Sequence, residues 1–532
     1  MRDNLTRLQG GAQQEALREI EADFGNVRAA WLGAVASGDH TLLEAAYESL
    51  FWFSMMRSRY QEAESLFREA EEALSHHERL RLLRARIALS RLWLLRWREG
   101  TFARHPDALP QIKTYLATLE RGGSPREIAA GLLLLGVASN EFEAEQENAA
   151  GLLQESLTRF EALNEVYYMA WTLHFMGRHA LTSQGLAAAI DLQTRSLTLR
   201  QQIGDLSGVV YALYNLSIYW LQMGNLDKSA ALADEMLTLS REVAERSGEL
   251  MSSTVLGLVA ALCGNISTAE RYGDETRRMA SDINHLLGAS YSLVIQALLA
   301  ILKGDKRAGL ALLDQVGASS DVLGYFVHFG RAMATIGDPE AEVRRHIDAA
   351  LRYGLRVEGI GLIAWTLPIY AILAAQRGEN ETAVNLLALS ALLCTLVNLW
   401  QPLIQAREAA EKALGEAAYQ RIFEQAARLD MIETANALLR GAAPDASSFS
   451  VRVRAANHSL IEPLSDRELE VLALIASGLQ NQDIADKLFV GISTVKKHIS
   501  HIYGKLDVTT RAQAILKAQA MGLVEVGQRG TG

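Results

Sequence analysis

A turn led by glycine recurs along the middle of the chain and limits what it can become. It reads Gly185-Leu186-Ala187-Ala188, then Gly224-Asn225-Leu226-Asp227, then Gly264-Asn265-Ile266-Ser267, then Gly304-Asp305-Lys306-Arg307, the glycines standing 39, 40 and 40 residues apart. Fainter versions stand at Gly337-Asp338 and Gly378-Glu379, and upstream at Gly38-Asp39, Gly100-Thr101 and around Tyr60-Gln61-Glu62-Ala63. A fixed period of this length marks stacked supersecondary units. Each glycine is expected to end one helix, because glycine takes a left-handed backbone at little cost. The Asp, Asn or Ser that follows then opens a second helix.

Leu and Ala at three- and four-residue spacing, as in Ala230-Ala231-Leu232-Ala233 and Met236-Leu237, give each hairpin an apolar face that only a neighbouring hairpin can cover. The expected fold is therefore all-α, with a helical-hairpin solenoid over residues 1–440. It resembles the tetratricopeptide family, with a period longer than that family's usual ~34 residues and not all of its Trp-Leu-Gly-Tyr positions filled. Solenoids present a concave surface lined by the first helix of each hairpin. Counting back thirteen residues from the turn glycines gives Thr172, Tyr211, Met251 and Tyr291, and Trp365 in a later repeat. Phe175 and Tyr214 lie one turn further on. These residues either grip a ligand or protein effector, or serve as core between repeats. Residues 79–98 are rich in arginine and carry Trp93 and Trp97 one turn apart. They read as a nucleic-acid surface or as a solvated face over a packed aromatic pair. His76-His77 has no partner at metal-ligand spacing, so no metal site is expected.

At 532 residues the chain exceeds one hydrophobic core. Its net charge of −10 excludes a protein that coats nucleic acid along its whole length, so any DNA contact is local. Cys263 and Cys394 sit in separate apolar helical contexts and read as buried free thiols in a reducing compartment. The first residues lack the apolar core of a signal peptide. The longest apolar stretch, residues 362–375, is interrupted by Thr366 and Pro368 and is too short to span a bilayer. A cytoplasmic protein without membrane contact is expected. No nucleophile–base set, metal cluster or phosphate loop appears, so neither catalysis nor a cofactor is expected.

From residue 441 the character changes: Gly441-Ala442-Ala443-Pro444-Asp445-Ala446-Ser447-Ser448 reads as a linker, continuing to residue 463. Ser465-Asp466-Arg467-Glu468 then opens a helix with a capping box. Leu469, Leu472, Ile475 and Ala476 repeat at helical spacing, and Gly478 stops them. Asn481 caps a short helix whose Ile484, Ala485 and Leu488 face inward. A turn over residues 489–492 leads to Ser493, the expected cap of a third helix from Thr494 to about Leu506. Two short helices joined by a tight turn, the second one basic, suit a DNA major groove. Between positions 493 and 517 stand Lys496, Lys497, Lys505, Arg511 and Lys517 against the single acid Asp507, a local charge of +4. Val495, Ile499, Ile502 and Leu506 take the buried spacing, and the opposite face presents Lys496, Lys497, Ser500 and His501.

These residues, together with Gly478-Leu479-Gln480-Asn481-Gln482-Asp483-Ile484-Ala485, Ser493-Thr494-Val495-Lys496-Lys497-His498-Ile499 and Arg511-Ala512-Gln513-Ala514, resemble the LuxR-type DNA-binding domain over about sixty residues. The resemblance implies a four-helix domain over residues 464–526, followed by a short tail, 527–532. It implies base contacts from Lys496, Lys497 and Ser500, and backbone contacts from Ser493, Thr494, His498 and Lys505, with His501 and Arg511 as further expected DNA contacts. Dimer packing on double-stranded DNA would come from residues 511–521. Gly491 and Asp507 depart from the family, which usually has Ser and Gly there. Glu21-Ala22-Asp23-Phe24-Gly25-Asn26-Val27 and Leu414-Gly415-Glu416-Ala417-Ala418-Tyr419 further resemble the helices that open and close the repeats of the MalT-like large regulators. Those regulators also carry an NTPase module, but no G-x-x-x-x-G-K-[ST] loop occurs in this sequence. The chain thus reads as the sensor and DNA-binding parts of such a regulator, either naturally shortened or part of a longer protein. A transcription regulator gated by a ligand or partner is the expected function. A protein-interaction scaffold that DNA binding merely localises is the alternative.

Overall fold

In a computed structural model the described residues are 4–99, 101–283, 285–317, 322–391, 400–426, 429–441, 464–476, 479, 481–488, 492–506, 508, 510–521 and 523–524. Gly100, Cys394, Gly478, the turn at 489–491 and the expected linker at 442–463 lie outside them. The chain forms two compact units, residues 1–334 with 356–359, and residues 335–355 with 360–532. Among the described residues there are helices and no strands, only a lone bridge from Ile336 to Asp338. None of these helices is long and apolar enough to cross a membrane.

The centre of the first unit is the expected series of hairpins. Val166–Ser183 pairs with Leu186–Ile203, Leu206–Gln222 with Leu226–Glu242, Arg246–Leu262 with Ile266–Asp282, and Leu286–Leu302 with Lys306–Leu313. Gly185, Gly224, Gly264 and Gly304 all take a left-handed backbone, with φ of 86°, 82°, 72° and 91°. After the last three, the next residue caps the following helix as expected: Asn225 accepts from the Lys228 amide at 3.0 Å, and Asp305 from that of Ala308 at 2.9 Å, whereas Gly185 itself holds the cap position of its helix. The turns between hairpins repeat the left-handed residue, as a glycine at Gly204, φ 75°, and without glycine at Asn164 and Ala244, both with φ 53°. The backbone unit is therefore a half-repeat of about twenty residues. Close crossings need small residues: a Cβ on Gly208 would lie 1.8 Å from Arg200 Nη1, and one on Gly248 2.2 Å from Ser240 Oγ.

Large contacts in sequence separation show how this unit closes on itself. Gln13 donates to Asp205 Oδ1 at 2.9 Å and accepts from the Ser207 amide at 2.9 Å. Ser58 and Ser247 hydroxyls meet at 2.8 Å. At this seam Arg200 and Asp205, both fully buried, form an ion pair at 2.7 Å, and the guanidinium lies 4.3 Å from the centroid of Trp171. Glu245 is buried nearby, where desolvation and the Asp205 charge push its carboxyl up to about 8.

Two expectations change. Cys263 is exposed, because the helix Arg246–Leu262 ends just before it and leaves it at a hairpin tip. Of the arginines in residues 79–98, Arg79 and Arg81 are exposed, but Arg86, Arg91 and Arg96 form neither a nucleic-acid surface nor a solvated face. Arg86 meets Glu127 at 2.8 Å, Arg91 meets Glu71 at 2.5 Å and Arg96 meets Glu141 at 2.8 Å, with all three side chains at most 17% exposed. Glutamates from neighbouring helices draw them down, while Trp93 and Trp97 pack against Phe175 and Tyr211. The apolar stretch at 362–375 is the interior of the helix Ile360–Gln376 in the second unit, buried through Ala374 with Pro368 inside it.

Candidate nucleic-acid interface

The C-terminal bundle consists of four short helices, Asp466–Ala476, Asn481–Leu488, Ile492–Lys505 and Arg511–Ala520. Its core joins Val471, Leu472 and Ile475 of the first helix, Ile484 and Ala485 of the second, Val495 and Ile502 of the third, and Ala514 and Ala518 of the fourth. This is the predicted apolar spacing, and it orients the third helix. With Val495, Ile502 and Leu506 turned inward, Lys496, Lys497, Ser500 and His501 stand exposed on the other side. His498 is half-buried at the edge of that face.

The capping box forms as expected. The Glu468 amide donates to Ser465 Oγ at 3.3 Å, and Glu468 Oε2 accepts from the Ser465 amide at 2.8 Å. Lys505 completes the cluster, its ammonium 2.9 Å from Glu468 Oε2, with His501 Nδ1 3.6 Å from Oε1. Burial alone would raise the Glu468 carboxyl, but the Ser465 amide and hydroxyl and the Lys505 charge outweigh it and hold it below its ordinary value.

Two predicted caps change. The third helix begins at Ile492, so Ser493 is its second residue, and the second helix begins at Asn481 itself. Nothing is described of the Ser493 and Thr494 side chains. Two predicted DNA contacts are engaged within the bundle. Lys505 is only 16% exposed and holds Glu468. Arg511 donates to the carbonyls of Ile475 at 3.1 Å and Leu479 at 2.5 Å, and to Asn481 Oδ1 at 3.4 Å. Its guanidinium ties the end of the first helix to the start of the second, satisfying carbonyls that a helix terminus leaves open.

The residues suggested for an effector are mostly interior. Thr172 is fully buried with its hydroxyl on the Tyr168 carbonyl at 2.8 Å, and Tyr211 and Tyr291 are buried in the first unit. Trp365 is buried in the second unit, and Tyr214 is half-buried against Val210 and Leu213. Such burial suits core between repeats, because inward-facing positions of the first helices meet other helices. Phe175 borders an open cleft. His76 and His77 are exposed, and no cluster of potential metal ligands occurs among the described residues.

Residues 462–518 match the GerE family of bacterial regulatory proteins, the luxR family. The chain is 51% identical over 63 residues to the transcriptional regulatory protein LiaR of Bacillus subtilis strain 168, covering 12% of this chain and 30% of that protein. It is 46% identical over 66 residues to the response regulator VraR of Staphylococcus aureus strain Mu3, covering 12% and 32%. It is 44% identical over 78 residues to YxjL of Bacillus subtilis strain 168, an uncharacterized transcriptional regulatory protein, covering 15% and 36%. The chain thus spans about a third of the length of the curated relatives it matches. Among solved structures, the apo form of RapI aligns with a TM-score of 0.42 and 11% identity, over 70% of this chain and 99% of that one.

Proposed function

The chain carries a LuxR-type helix-turn-helix at its C-terminus, and from that premise we propose that it is a sequence-specific transcription regulator. The exposed face of the third helix lies in the major groove. Lys496, Lys497 and Ser500 meet base edges there, and Ser493, Thr494, His498 and His501 meet the backbone. Residues 511–521 pair two copies on double-stranded DNA. Residues 1–440 sense an effector, and residues 441–463 tether the array to the DNA-binding domain. The observation that carries this reading is the pair of lysines. Lys496 and Lys497 project from a helix whose other face is buried in the bundle core, and they form no ion pair among the described residues. Lys505 and Arg511 have structural tasks that account for their charge, so they act on DNA by shaping the domain.

Selection of binding sites from random duplexes with the full chain tests the proposal. A defined consensus is expected, with affinity falling steeply as salt rises, because phosphate contacts release counterions. Recovery of no preferred sequence would remove the regulator reading and leave the scaffold.

A further inference from the structure

The first unit contains a cleft, partly open to solvent, between the helices His40–Met56, Arg81–Glu99, Pro125–Ser139 and Val166–Ser183. Four of the chain's eight tryptophans, Trp52, Trp93, Trp97 and Trp171, line it. Their rings continue one another: Trp52 stacks on Trp171 at 5.7 Å between centroids, Trp171 on Phe175 at 6.1 Å, and Trp93 leans on Phe175 at 5.3 Å. The remaining wall is apolar, with Phe51, Met55, Leu89 and Leu133.

The polar rim is already neutralised. Arg126 meets Glu48 at 2.6 Å and Glu165 at 3.1 Å, and Arg86 meets Glu44 at 2.5 Å and Glu127 at 2.8 Å. The Tyr168 hydroxyl donates to Glu48 at 2.6 Å. An anionic ligand would have to displace carboxylates from both arginines. A cationic one would meet like charge, since Arg126 lies 4.8 Å from the Tyr168 centroid and Arg200 4.3 Å from that of Trp171. Stacking surface without a free charge favours one chemistry.

We propose that this cleft is the effector site and takes an uncharged, flat, largely apolar small molecule, stacked on the tryptophans. This rests on the reading of the array as a sensor. The ligand would draw together helices from four hairpins, a means of changing how the array closes at the Gln13–Asp205 seam.

The test uses the full chain and two fluorophores on one aromatic frame, uncharged N-phenyl-1-naphthylamine and its sulfonate, 8-anilinonaphthalene-1-sulfonate. The uncharged probe should bind at one site, quench tryptophan emission and bind at least about tenfold tighter than the sulfonate, a difference of roughly 1.4 kcal/mol. Ala130→Phe, which fills the cleft, should weaken it at least about tenfold, with an unchanged unfolding midpoint. If that variant does not fold, Trp93→Leu decides, by the same loss. Equal binding of both probes, no binding of the uncharged one, or insensitivity to the cleft variants would overturn the proposal. DNA affinity measured on the same samples separates the two readings. Failure of the probe with DNA binding intact removes the ligand site alone, and the reverse removes the regulator alone.

Discussion

The repeat array and the C-terminal bundle use charge in opposite ways. In the array, arginines are answered by acids: Arg200 by buried Asp205, Arg126 by Glu48 and Glu165, Arg96 by Glu141. Such pairs stabilise modestly at best, but they fix which helix meets which, because leaving one partner alone is costly. In the bundle, Lys496 and Lys497 stand exposed with no ion pair among the described residues, and the core beneath them needs neither. Lys505 and Arg511 belong to the first kind although they lie beside the second. A cation's position in a DNA-binding motif therefore says less about its task than whether the fold has already engaged it.

The comparison breaks first at the array's seam. Arg200→Ala strands a buried carboxylate and should cost about 3–5 kcal/mol. Urea unfolding followed by tryptophan emission reads this directly, since all eight tryptophans lie at or before position 400. An unchanged midpoint would show that the seam does not depend on the pair. Glu245 gives the next effect. Its carboxyl, near 4.5 when unfolded, is pushed up to about 8 by burial and Asp205. Stability present at low pH is therefore lost as pH rises through that window. Glu245→Gln should flatten this slope and gain on the order of 2–4 kcal/mol at pH 8. A variant that follows the wild-type pH profile would remove the assignment.

Arg511→Ala then distinguishes a brace from a phosphate contact. As a brace it should destabilise the bundle by about 1–3 kcal/mol, seen as faster hydrogen exchange at residues 466–488. The salt slope of DNA binding should stay the same. A slope reduced by about 0.9 with exchange unaltered would return Arg511 to the DNA. The smallest effect is at Glu468. Because its carboxyl is held below the ordinary 4.5, the stability it contributes is present above that value and disappears as pH falls below it. Glu468→Gln should remove about 1 kcal/mol at neutral pH and most of the acid sensitivity of exchange in the first helix. Undiminished acid sensitivity would place it elsewhere.

Local chemistry was legible where a residue type carries a backbone requirement. The glycine turns and the Asn225 and Asp305 caps could be read directly, as could Ser465 with Glu468 and the inward stripe from Val495 to Leu506. The turns at Asn164 and Ala244 were not, because there L residues adopt the left-handed conformation that they normally avoid. The cleft was hidden for a different reason. Its tryptophans come from separate hairpins and converge only because the array closes until Gln13 reaches Asp205. Counting from turn glycines lands on Thr172, one position past Trp171, which lines the cleft. The clustering of four tryptophans within residues 52–171 was the available signal. The tasks of Lys505 and Arg511 likewise depend on contacts about thirty residues distant, outside any helical period.

The most direct measurement is the affinity of the full chain for its selected site and for random duplex, with and without Lys496→Ala and Lys497→Ala together. The account predicts that the pair of substitutions removes roughly 1–3 kcal/mol of preference per lysine, so that the selected site loses far more affinity than random DNA. Equal loss on both DNAs would contradict base reading by this face, and no loss on either would contradict the interface itself.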